Sequence, residues 1–254
     1  MDGTVVQSLP SRQSGQYWDA AATNWEEEIF SSFHNDRKGV ILAALKAAAD
    51  PRAAMADFGC GVGIYLPVLG RLFGEVHGFE QSAACVDVAR QKTRGQSNIS
   101  VHVASTALKS WRGRFDAVLC ANAAIHPRRA IWQGVLDSAR ALLRDRDDRG
   151  SGRLILVVPA LGSARLLAKA ERNAAEPRII VKPDQPNGDS GVSIDGVSTK
   201  HFTAAELKRE LAARGFRAIR VRKVEYSWAC HSIRPPKDLS AAKPWDWLVT
   251  AKVA

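Results

Sequence analysis

Residues 54–63 read Ala54-Met55-Ala56-Asp57-Phe58-Gly59-Cys60-Gly61-Val62-Gly63, and seventeen residues past Gly63 a second apolar run, Glu75-Val76-His77-Gly78-Phe79-Glu80, closes on another carboxylate. A strand that turns sharply into a helix needs backbone without side chains, so that a ligand can lie against the chain and the helix N-terminus can face it. Gly59 and Gly61 open that space, and Gly63 falls where helix and strand would pack closely. Ile64, Leu66, Val68, Leu69 and Leu72 then supply the apolar positions of a helix. Glu80 ends the neighbouring strand about where a carboxylate can accept both hydroxyls of an adenosine ribose. The spacing describes a nucleoside site.

A dinucleotide fingerprint needs a glycine at the sixth position of Gly-x-Gly-x-x-Gly, and that position is Ile64. The motif is instead Asp-x-Gly-x-Gly-x-Gly, and here the chain resembles the class I, Rossmann-like S-adenosylmethionine-dependent methyltransferases. The resemblance spans roughly residues 54–227. It implies that Asp57 orders the methionine end of the cofactor, that Gly59, Cys60, Gly61 and Gly63 bring the backbone against it, and that Glu80, with Gln81 beside it, clamps the ribose. The competing reading is an ordinary strand-to-helix turn whose glycines serve packing alone.

The 254 residues, 46% of them hydrophobic, can bury one substantial core and are short for two. No signal peptide opens the sequence and no apolar run is long enough to span a membrane. Cysteines 60, 85, 120 and 230 lack metal-ligand spacing, so they read as reduced and metal-free, which fits a cytoplasmic protein, monomeric or homodimeric. Residues 1–127 hold 12 basic and 12 acidic side chains, whereas residues 128–254 hold 24 and 14 and carry the whole net charge of +10. Such a half can face an anionic acceptor or simply present an arginine-rich solvated surface, the reading that the spacing of Arg140, Arg144, Lys208, Arg209 and Arg214 favours.

Helical spacing of apolar and aromatic residues over 17–33 and 38–49 predicts an N-terminal helical cap, residues 1–52. From 53 to 254 strands (55–58, 76–79, 99–104, 115–121, 153–158) alternate with helices (64–72, 83–92, 129–143, 164–172). The pattern predicts an α/β fold, a doubly wound, seven-stranded, mostly parallel sheet. Residues 173–200, rich in proline and glycine with one apolar run at 179–181, interrupt the rhythm as a lid-like insertion. A helix capped by Thr203, with Glu206 completing a capping box, then leads to strands over 218–228 and 247–253. The resemblance implies that the last strand inserts antiparallel.

Ligands in such sheets bind beyond the carboxyl ends of the strands, so turn residues are the site candidates. After the third strand the family often places an aspartate against adenine, and this chain offers the hydroxyls of Ser105 and Thr106 instead. After the fourth come Ala121 and Asn122 toward the cofactor and His126 as a candidate base, with Arg128 beside it. The Asn-Pro-Pro-aromatic signature of nucleobase- and glutamine-methylating enzymes is absent, because Ala123 and Ala124 follow Asn122. Tyr17, Trp18, Tyr226 and Trp228 are candidate walls of the acceptor pocket, Tyr17 also a candidate catalytic group. The reading is transfer of a methyl group from S-adenosylmethionine to an oxygen or nitrogen of a small molecule, anionic acceptors included. Its rivals are an RNA, or less readily a protein, methyltransferase, for which the chain lacks a recognisable RNA module, and a catalytically silent cofactor-binding partner subunit.

Overall fold

Met55 and Ala56 are neighbours in the chain and both fully buried, yet they belong to two different apolar clusters. The same split separates Leu119 from Val118 and Ile155 from Leu154 and Leu156. Side chains alternate across a strand, so these runs are strands covered on both faces, the pattern of a parallel sheet between two helical layers.

The computed structural model describes residues 18, 19, 22, 31–104, 106–145, 147 and 150–254. In chain order it contains α1 (Ser32–Asn35), α2 (Val40–Ala48), β1 (Asp50–Phe58), α3 (Leu66–Leu72), β2 (Phe73–Glu80), α4 (Ala83–Lys92), β3 (Ile99–Val103) and β4 (Ala117–Ala121). There follow α5 (Arg129–Leu142), β5 (Arg153–Pro159), α6 (Leu161–Ala170), β6 (Ile179–Val181), β7 (Val192–Ile194), β8 (Val197–Ser198), α7 (Ala204–Ala213), β9 (Phe216–Glu225) and β10 (Trp245–Val253). Seven strands form one sheet in the order β3-β2-β1-β4-β5-β10-β9. Pairing is parallel from β3 through β5, and β10 runs antiparallel to both β5 and β9. The order reverses at β1 and β4, so the crevice for a ligand opens at their carboxyl ends.

One cluster joins α2, α3 and α4 to the sheet through Ile41, Leu45, Leu66, Leu69 and Ala89. The other joins α5 and α7 through Trp132, Leu136, Leu207 and Leu211. On α5 the buried residues Trp132, Leu136, Ala139 and Leu142 recur every three or four positions, one stripe of a helix. Each side chain of this size contributes roughly 1.5–3 kcal/mol by leaving water.

Residues 17, 20, 21 and 23–30 of the expected first helix lie outside the described residues. Phe33 belongs to the separate, short α1, because Ser31 is extended and its side chain accepts from the backbone N–H of His34. β1 begins at Asp50, before the expected boundary at 53, pairing with Phe73 across an irregularity between Asp50 and Ala54. α3 starts two residues later than its apolar pattern, since the glycine turn uses that length of chain. Trp228, expected in the sixth strand, sits in a 3-10 turn beyond β9. The insertion holds an antiparallel sheet of β6, β7 and β8. At α7 the Thr203 hydroxyl accepts from Glu206 N (3.1 Å), but the Glu206 carboxylate turns to Lys200 Nζ (2.8 Å), so only half of a capping box forms.

Candidate functional site

β1 ends in Asp57 and Phe58, and the chain then bends through Gly59, Gly61 and Gly63 at φ of 79°, 53° and 77°. Residues with a Cβ rarely adopt this left-handed region. A Cβ on Gly59 would also collide with the Cβ of Ala123, and one on Gly63 would meet Ala89 and Leu66 at 3.0 and 3.1 Å. The turn is tied to β2, since Phe79 O accepts from Gly59 N (2.8 Å) and Cys60 N (3.1 Å).

Asp57 lies beneath this turn, 1% exposed, and neither of its carboxyl oxygens has a hydrogen-bond partner among the described residues. Burial, and then the charge of Glu80, push its pKa up to about 8. A buried carboxylate without a donor is costly, so the arrangement is one that a cationic or N–H-bearing ligand completes. Burial also holds the Cys60 thiol neutral, far above its usual range.

Glu80 is already engaged. Its Oε2 accepts from Gly61 N (3.0 Å), and its Oε1 accepts from Gln81 N (2.7 Å) and Ser82 N (3.0 Å). A carboxylate has about four acceptor positions, which leaves about one for a ligand hydroxyl. The Gln81 side chain is exposed. Ser82 caps α4 by accepting from Cys85 N (3.1 Å), and its hydroxyl donates to Asp19 Oδ1 (2.5 Å). Trp18 and Ala22 pack on Val62 and Cys85, which places Trp18 against the glycine turn. Tyr17 and Ser105 lie outside the described residues, and Thr106 opens a 3-10 turn, Thr106–Trp111.

After half-buried Ala121, Asn122 adopts a left-handed φ of 54°. Its Nδ2 donates to Ser32 Oγ (2.7 Å), Ser32 Oγ donates to Asp246 Oδ2 (2.9 Å), and the Tyr226 hydroxyl donates to that same oxygen (2.9 Å). The relay orients the amide so that Asn122 Oδ1, buried and without a partner among the described residues, is left as an acceptor. Burial raises Asp246 to about 6 even though both hydroxyls stabilise its charge. Tyr65, one residue past Ile64, feels Asp57 and Asp246 together, and burial with those charges pushes its phenol far up. Tyr226 is 2% exposed and Trp228 donates its indole N–H to Ala242 O (2.8 Å). These two aromatics are mostly buried and bonded.

His126 accepts a hydrogen bond at Nδ1 from the backbone N–H of Arg128 (3.0 Å). Burial, then the Arg128 charge, lower its pKa. The neutral ring therefore carries its proton on Nε2 and offers solvent a donor, and its basic nitrogen is occupied. Arg128 itself is exposed where α5 begins.

The insertion is stitched to this loop. Lys200 N donates to Ile125 O (2.8 Å), Ser190 N to Pro127 O (3.0 Å), and Asp189 Oδ1 accepts from Arg129 N (2.9 Å). Lys200 is 1% exposed, its ammonium between Glu206 and Asp184 and above the rings of Trp132 and Phe202. Ser32, Tyr65, Asp246 and Lys200 escaped the reading of the sequence, since no local motif marks any of them.

Residues 55–146 match the family model described as a methyltransferase domain. Among solved structures, the chain is similar to DhpI in complex with SAH, with 17% identity, 95% of this chain and 96% of that one covered, and a TM-score of 0.61. It is similar to a SAM-dependent methyltransferase from Anabaena variabilis, with 16% identity, 94% and 93% coverage and a TM-score of 0.61. It is similar also to magnesium protoporphyrin IX methyltransferase from Synechocystis with bound SAH, with 18% identity, 100% and 90% coverage and a TM-score of 0.56. No curated protein matches the chain. Residues 55–146 thus match a methyltransferase-domain model, and the chain as a whole shares the Rossmann-like fold of solved S-adenosylmethionine-dependent methyltransferases.

Proposed function

We propose that the protein binds S-adenosylmethionine at the turn between β1 and α3 and methylates an oxygen or nitrogen of a small-molecule acceptor. The observation that carries the proposal is Asp57, a buried carboxylate whose two oxygens have no hydrogen-bond partner among the described residues, beneath three left-handed glycines. Those residues fit the group: Gly59 and Gly63 leave no room for side chains, Asp57 has no donor among the described residues, and Glu80 keeps about one acceptor position for a ribose hydroxyl.

When bound, the cofactor supplies a methyl group on a sulfonium, ready for in-line displacement. Alignment and exclusion of water are the main help a protein gives such a reaction. Asp57 offers negative charge to the cationic end of the ligand. Asn122, held by Ser32 and Asp246, presents Oδ1 from the end of β4 next to the glycine turn. His126 keeps its proton on Nε2 and is not the base, so an acceptor proton leaves to water or is gone before the acceptor arrives.

Titration calorimetry with S-adenosylmethionine and S-adenosylhomocysteine tests the cofactor, and binding of a nicotinamide dinucleotide in their place would overturn it. Incubation with labelled cofactor and a metabolite extract tests the acceptor. Label in small molecules supports the reading, label in RNA would replace it, and label nowhere would leave a silent binding subunit.

A further inference from the structure

Beyond β9, the chain and the α1–α2 connection enclose a cleft of about 260 Å³. Arg37, Lys38 and Lys243 stand on its rim, Tyr226 and Trp228 form its wall, and Glu225 is its one lining carboxylate. Glu225 is satisfied by Lys38 Nζ at 2.6 Å. Neither Arg37 nor Lys243 makes a close ion pair among the described residues, although the Lys243 charge also reaches Glu225, and both are exposed. Asp36 is turned away, its Oδ2 accepting from Ile41 N (2.6 Å) inside the fold. The cleft therefore holds two cations in excess.

Its position gives that charge a use. Tyr226 belongs both to the cleft and to the relay, so three hydrogen bonds of 2.9, 2.9 and 2.7 Å lead from this wall through Asp246 and Ser32 to Asn122. The cleft wall and the end of β4 thus share one hydrogen-bond network. The second half of the chain holds other cations, but many are spent: Arg214 on Asp137 and Glu210, Arg178 on Glu171, Arg140 on Asp145. Arginine binds oxyanions through a planar fork and lysine as a point charge, so the pair suits a phosphate or carboxylate.

We infer that this cleft binds an oxyanion, phosphate or carboxylate, carried by the methyl acceptor at a distance from the atom that is methylated. The inference rests on the methyltransferase reading, and the product keeps its negative charge because the oxyanion and the reacting atom are different groups.

Three measurements test it. In the first, the full-length protein is titrated with inorganic phosphate, pyrophosphate and acetate, which separate a phosphate from a carboxylate preference. The wild type saturates with at least one of them, and Arg37→Ala/Lys243→Ala weakens that binding about tenfold or more, as expected when charge-assisted contacts are lost. Arg220→Ala/Arg222→Ala removes two exposed cations from β9 and leaves the binding within about twofold. No saturation in the wild type, or equal loss in both double variants, would overturn the inference. In the second, labelled products are separated by anion exchange. Retained label supports it and label in the neutral fraction refutes it, whereas localised anion binding with no label anywhere would sink the methyltransferase reading and keep the cleft only as an anion site. With an acceptor in hand, Arg37→Ala/Lys243→Ala raises KM about tenfold and leaves kcat and cofactor affinity nearly unchanged.

Discussion

Asp57→Asn exchanges a buried carboxylate for an amide of the same size, and the two side chains must answer pH differently. Burial, then Glu80, raise the Asp57 carboxyl to about 8, so at pH 7 roughly nine-tenths of the ligand-free protein carries a proton there. A ligand with a cationic end prefers the carboxylate, and its binding drives that proton off. Wild-type affinity should then rise about tenfold per pH unit, about 1.4 kcal/mol, from pH 6 toward 7, and flatten above pH 8. Any slope left in Asp57→Asn belongs to groups other than Asp57. Calorimetry with S-adenosylhomocysteine in two buffers of different ionisation enthalpy should count close to one proton released by the wild type at pH 7, in excess of the variant. Stability follows the same linkage. The folded pKa lies above the unfolded one, so this contribution is complete below about pH 4 and is lost as pH rises through 8. Ligand-free Asp57→Asn should therefore melt higher than the wild type at pH 8, by the equivalent of a few kcal/mol. Equal slopes and equal proton counts in the two proteins would show that Asp57 does not meet the ligand's charge.

Glu80→Ala strips the acceptor from three backbone N–H groups, two of them on buried residues, so it should lower stability by about 2–4 kcal/mol in addition to weakening the cofactor, measured by chemical denaturation and calorimetry. An unchanged midpoint would show that these N–H groups find other acceptors when the carboxylate is gone. His126→Asn should change kcat by less than about tenfold at neutral pH, because the basic nitrogen is bonded to Arg128 N; a hundredfold loss with disappearance of an acidic limb would reinstate the base. Lys200→Met leaves Glu206 and Asp184 without their cation and should cost about 3 kcal/mol, with faster proteolytic cleavage between residues 173 and 200; an uncleaved insertion would show that the backbone bonds alone hold it.

The glycine turn, the alternation of strands and helices and the acid at the end of β2 were legible because each is a local pattern of short period. α4 was placed residue for residue, since Ser82 caps it and its apolar positions recur helically. The relay was not legible: Ser32 and Asp246 stand 214 positions apart and neither lies in a motif. Glu80 was read by its charge, whereas its oxygens are largely taken by backbone N–H groups that no composition reveals. His126 was named for its chemistry, and a backbone donor two residues later decides which nitrogen is available. Trp228 extended an apolar run past the end of β9, where Tyr226 N had already turned to Pro244 O.

The stitching of residues 189–200 onto residues 125–129 also bears on how these segments can be exchanged between related chains. Bonds to Ile125 O, Pro127 O and Arg129 N fix the register of one segment against the other, and Lys200 anchors both to α5 and α7. The two segments therefore form a single cassette: a graft of the insertion alone into a related scaffold would arrive with unmatched donors, and transplanting it together with the loop after β4 would keep the bonded pair intact.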